Sequence, residues 1–135
     1  MKGSCHCGAV TLEVPGPPEF LNQCNCSACW KLGTLWGYYP VEALTTTGAP
    51  AAYRRADEPD PSIDFNFCAR CGAVTHWSPI DRERIGRTGV NMRLFEPEPL
   101  GALEVRYGDR RNHPAGEQRQ SVRDPAPFRE VGPVA

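Results

Sequence analysis

Apolar and polar residues alternate over short spans along this chain, and no span sustains a long helical period. Residues 9–14 (AVTLEV), 34–40 (TLWGYYP), 51–55 (AAYRR), 63–67 (IDFNF), 73–77 (AVTHW), 87–92 (RTGVNM) and 102–107 (ALEVRY) read as strands. Most are bounded by Gly, Pro, Asp or Asn, which turn the backbone away from an extended path. One or two helical turns are expected around 27–33 (SACWKLG). The pattern predicts a mainly β domain over residues 1–108. Residues 55–62 (RADEPDPS) form a polar, proline-rich loop between two strands. From residue 109 the chain turns polar and carries Pro114, Pro125, Pro127 and Pro133, which predicts an irregular tail over 109–135.

Composition narrows the function classes. A chain of 135 residues can bury a core of its own, and its 40% hydrophobic and 23% charged residues suit a globular protein. A net charge of -1 offers no basic field for nucleic acid and no polybasic membrane patch. Acidic residues accompany most of Arg54, Arg55, Arg82, Arg84, Arg110 and Arg111, so these arginines read as a solvated surface. The stretch MKGSCHCGAV lacks an apolar core of signal-peptide length, and no apolar run nears the roughly 20 residues of a membrane helix. A cytoplasmic protein is expected. There, reduced thiols favour metal or catalytic roles over disulfides, and seven cysteines cannot all pair.

The cysteines fall into three groups: Cys5-x-Cys7, Cys24-x-Cys26-x-x-Cys29 and Cys68-x-x-Cys71. The pentapeptide CGAVT follows the first and last groups, at 7–11 and 71–75. Gly8 and Gly72 permit a positive φ directly after the second cysteine, so each copy reads as a metal knuckle running into a strand. Structural zinc takes four ligands in a tetrahedron, and Cys5, Cys7, Cys68 and Cys71 supply four thiolates. Closing that site would join chain segments about sixty residues apart, much as a disulfide does. A redox role for Cys68-x-x-Cys71 lacks the βαβ context and leaves Cys5 and Cys7 without a purpose.

Cys24, Cys26 and Cys29 remain as three ligands without a fourth cysteine. His6, His76 or His113 could complete the set; an open position is the preferred reading, since catalytic zinc keeps one vacant. A soft three-thiolate site suits an incoming thiol as its fourth ligand. Trp30, Trp36, Tyr38 and Tyr39 could wall a pocket there, although aromatics on a short strand read first as core.

Taken together, C-x-C-G, C-x-C-x-x-C, FCARCG and GVNMRLFEP resemble the glutathione-dependent formaldehyde-activating enzyme family, which includes the centromere protein V domain. The resemblance covers roughly residues 3–107 and all seven cysteines. It implies a β-tent fold, a zinc-pinned β-sheet structure with short helical turns. It implies two zinc ions, one structural on Cys5, Cys7, Cys68 and Cys71, and one catalytic on Cys24, Cys26 and Cys29. It also implies a carbon–sulfur lyase acting on adducts of glutathione, or another thiol, with formaldehyde or a related aldehyde. Asn91 and Arg93 are the glutathione contacts carried over by the resemblance, and Lys31 is a further candidate contact, as a point charge beside the second site. The chain departs from the family at Asn25, where a histidine is common, and at Trp30, where an arginine is common; neither change removes a ligand. The alternative is a non-enzymatic zinc-binding module that holds a protein partner.

Overall fold

Glycine, proline and the cysteine turns keep every regular element short. The structure is a computed structural model that describes residues 1–111 and the strand Gln120–Ser121. In chain order the strands are β1 (Lys2–Ser4), β2 (Thr11–Glu13), β3 (Leu21–Cys24), β4 (Trp36–Pro40), β5 (Thr45–Thr47) and β6 (Ala51–Arg54). They continue with β7 (Ile63–Phe67), β8 (Val74–Pro79), β9 (Arg87–Asn91), β10 (Val105–Gly108) and β11 (Gln120–Ser121). One helix, α1 (Ser27–Leu32), lies between β3 and β4. Single 3-10 turns occupy Val41–Ala43, Met92–Leu94 and Glu98–Leu100.

The strands form two sheets. The smaller runs β1-β2-β5, and the larger runs β11-β10-β3-β4-β9-β8-β7-β6. Every pairing is antiparallel except β10 with β3, which places Gly108 opposite Cys24. The protein is thus mainly β with short helical turns, in the β-tent arrangement expected. Residues 112–119 and 122–135, with His113 and the four tail prolines, lie outside the described residues. Within the expected tail, Gln120–Ser121 pairs with β10.

Alternation along β4 (WGYYP) divides the interior. Tyr39 joins Leu12, Val14, Leu21, Val90, Met92, Phe95 and Leu100 in one core. A Cβ on Gly37 would lie 2.8 Å from Met92 and from Pro18, so only glycine fits on that face. Trp36 faces the other way and packs with Phe65, Val74, Trp77, Cys26 and Cys29. Burial of these large side chains, at about 25 cal/mol per Å2, drives the two-sided packing. Strands β1, β3 and β5 escaped the alternation because TTT and LNQC have no two-residue period in hydropathy.

Candidate metal centre

Two groups of thiols assemble, and they are the groups that the spacing predicts. In the first, the β1–β2 turn carries Cys5 and Cys7, while the β7–β8 turn carries Cys68 and Cys71. Gly8 and Gly72 adopt φ of 76° and 77°, in the left-handed region. Each lets its N–H return to the first cysteine, Gly8 to the Cys5 carbonyl at 3.0 Å and Gly72 to the Cys68 carbonyl at 2.8 Å. The Sγ atoms of Cys5 and Cys7, and of Cys7 and Cys68, are 3.7 Å apart. A tetrahedron with 2.3 Å metal–sulfur bonds has edges of about 3.8 Å, so this donor set fits a zinc-sized soft ion. Backbone N–H groups of Ala73 and Cys7 draw the Cys71 thiol down to about 6, ready to bind as thiolate.

The second group sits where β3 runs into α1. Cys24 ends the strand, Cys26 is the N-cap whose Sγ accepts from the Cys29 N–H at 3.4 Å, and Cys29 lies inside the helix. The three sulfurs lie within 4.8 Å of one another. Each has a further donor. The Cys26 N–H reaches Cys24 Sγ at 3.4 Å, and Trp36 Nε1 donates to Cys29 Sγ at 3.2 Å. Arg55 Nη1 reaches Cys26 Sγ at 3.8 Å. The negative charge settles on Cys26, drawn down to about 2 by the thiols of Cys24 and Cys29 and helped by the Cys29 N–H and Arg55. Beside it, Cys24 is pushed up to about 11 and Cys29 well above its ordinary value. Cys24 and Cys29 thus keep their protons at neutral pH, and a metal cation would release them. Among the described residues no histidine joins either group. His6 is exposed and His76 is buried on β8 against Thr75, so neither completes the second set.

The second group opens into a cavity of about 530 Å3. Trp36, Tyr38, Phe65 and Trp77 wall it, with Asn22 on one side. Asn22 Nδ2 donates to the Tyr38 hydroxyl at 2.5 Å, and burial pushes that hydroxyl up to about 12, so it keeps its proton. Arg55, Arg84, Arg87 and Arg110 complete the lining. The solvated-surface reading is therefore corrected for the half-buried Arg55 and Arg110, while Arg84 borders the cavity from an exposed position. Only Arg55 is neutralised by the acids near it in sequence, 2.9 Å from both Asp57 and Glu58. It also donates to Ser27, whose hydroxyl in turn donates to Asp57. Arg87 lies over the Tyr38 ring at 5.0 Å. No carboxylate of the described residues pairs with Arg84, Arg87 or Arg110.

Of the aromatics singled out in the sequence, Trp36 and Tyr38 line the cavity while Trp30 and Tyr39 do not. Lys31 and Arg93 are exposed and outside the lining. Asn91 is buried: its Nδ2 donates to the Val74 carbonyl at 2.8 Å, and its Oδ1 accepts from the N–H of Leu35 and of Arg93. It ties β9 to its neighbours and lies outside the cavity lining. Phe65 and Trp77 were readable as inward positions of IDFNF and AVTHW, but the sequence did not tell which interior they entered.

A profile of the glutathione-dependent formaldehyde-activating enzyme family matches residues 1–103. A Halomonas elongata protein assigned by name to the glutathione-dependent formaldehyde-activating enzymes is 34% identical over 83 residues, 55% of this chain and 53% of its own length. The chain thus matches about half the length of that curated relative. The crystal structure of a Rhodobacter sphaeroides protein superposes with a TM-score of 0.61 at 30% identity, covering 78% of this chain and 99% of the other. With the cysteine spacing and the two-sheet fold, these matches establish that the chain belongs to the glutathione-dependent formaldehyde-activating enzyme family.

Proposed function

We propose that this protein makes and breaks the carbon–sulfur bond between glutathione, or a similar acidic thiol, and formaldehyde or a related small aldehyde. One observation carries the reading: a three-thiolate group that has no fourth ligand among the described residues opens into a cavity lined by Arg84, Arg87 and Arg110, which pair with no described carboxylate. Zinc held by Cys24, Cys26 and Cys29 would lower the pKa of a bound thiol and so keep it a thiolate at neutral pH. The first group, with four donors, would hold a second zinc as a structural pin.

The side chains set out the remaining chemistry. Arg84, Arg87 and Arg110 attract the carboxylates of the thiol. Trp36, Phe65 and Trp77 keep bulk water from the sulfur. When the thiolate sulfur forms its bond to the aldehyde carbon, the carbonyl π pair moves to oxygen. Tyr38 accepts from Asn22, so its own O–H is available to donate to that oxygen. The oxygen then gains, through solvent, the proton that the thiol gave up. The reverse sequence is the lyase reaction.

An NMR exchange measurement between formaldehyde and glutathione tests this. Wild type should accelerate exchange. Cys24→Ser, Cys26→Ser and Cys29→Ser should each abolish the acceleration, with one metal ion per chain retained and the fold intact. A wild type holding two ions and giving no acceleration would exclude the reading and favour the binding-module alternative.

A further inference from the structure

We infer that Arg110, fixed by a latch on Asn25, is the residue that binds a carboxylate of the thiol substrate. The inference rests on the thiol chemistry proposed above for the same cavity.

The latch begins where β10 runs beside β3. Their parallel ladder ends with Gly108 opposite Cys24, and the Asn25 N–H adds one more rung to the Gly108 carbonyl at 3.0 Å. Strand approach is close there: a Cβ on Gly108 would lie 3.0 Å from Asn22 Oδ1. The Asn25 side chain, 3% exposed, then holds the residues on both sides of Arg110. Its Nδ2 donates to Asp109 Oδ1 at 2.8 Å, and its Oδ1 accepts from the Arg111 N–H at 2.9 Å. The Asn25 carbonyl also accepts from Arg111 Nε at 3.1 Å. Four hydrogen bonds on one residue therefore pin residues 108, 109 and 111.

Arg110 itself takes no part in the latch. Its backbone is held from both sides while its side chain lines the cavity and pairs with no carboxylate of the described residues. The other cavity arginines are less suited. Arg55 is saturated by Asp57 and Glu58, Arg87 is committed to the Tyr38 ring, and Arg84 is exposed. A guanidinium on a fixed backbone takes a carboxylate in two parallel hydrogen bonds at little entropic cost. Because Asn25 stands between two sulfur donors, Cys24 and Cys26, the latch also fixes the spacing between thiol site and anion site. It selects thiols that carry a carboxylate at one distance from sulfur, and makes Asn25 a positioning residue.

Calorimetric binding to the metal-replete protein tests this, with glutathione and 2-mercaptoethanol, a thiol without a carboxylate. Arg110→Gln should weaken glutathione roughly tenfold or more and leave 2-mercaptoethanol unchanged; Arg110→Lys should fall between. Asn25→Ala should show the same selective loss. Asp109→Ala removes one strand of the latch without touching the neighbour of a ligand, and should also lose glutathione selectively with metal content unchanged. The proposal fails if Arg110→Gln binds glutathione like wild type, or if both thiols weaken equally. In those cases the thiol reading stands. If the wild type binds neither thiol, that reading falls and takes this proposal with it.

Discussion

His76 shows what burial does to one side chain in this protein. It is 8% exposed, and burial pulls its pKa from 6.5 down to about 4. Its Nδ1 lies 3.0 Å from the Thr75 hydroxyl, which donates to the Asn66 carbonyl at 3.1 Å. The imidazole is therefore neutral in the fold and becomes charged on unfolding at mildly acid pH. Between pH 6.5 and 4 the unfolded chain binds the extra proton, so stability rises with pH across that window and falls on acidification. Denaturant unfolding at pH 7 and pH 4.5 should show wild type losing about 2 kcal/mol more than His76→Gln. Comparing the two proteins removes the acid release of metal that both share. At this scale Gly8 and Gly72 were legible, because a turn that ends on a ligand and leaves as a strand calls for positive φ. The cavity arginines were not. Charge partners are set by which loops meet in space, and neighbouring acids in sequence neutralise only Arg55.

The β8–β9 pair carries the packing constraint that shapes the cavity. Trp77 and Gly89 stand opposite in register, and a Cβ on Gly89 would fall 1.9 Å from Trp77 Nε1. The indole lies against a bare backbone and from there lines the cavity. Gly89→Ala must displace the ring, at a cost of about 1–3 kcal/mol for an overpacked site. Thermal unfolding should record that loss together with a shifted tryptophan emission. Gly89→Ala combined with Trp77→Leu should recover part of the stability, since the two changes relieve one clash. IDFNF was legible to the residue, RTGVNM to within one and TLWGYYP to within two, because their alternation meets one interior on each face. The β10–β3 pairing was illegible. It is a parallel contact between distant segments, and no local period encodes it.

Across the whole molecule, the two cysteine groups have different mechanical places. The four-cysteine group joins the β1–β2 turn of the small sheet to the β7–β8 turn of the large one. The three-cysteine group lies within a single strand–helix corner. Chelator titration should accordingly release metal in two steps. The first should leave the far-ultraviolet dichroism unchanged, and the second should coincide with unfolding. Chain order adds a consequence for synthesis. All four clamp sulfurs have emerged from the ribosome once Cys71 is out, ahead of β9 and β10. The sulfurs of the three-cysteine group emerge still earlier, by Cys29, and wait for Trp36, Trp77 and Gly108 to come beside them. Once about 80 residues have emerged, the four clamp sulfurs can thus meet before β9 has joined β4 to β8, and the three-cysteine corner still lacks Gly108 and stands open to oxidants.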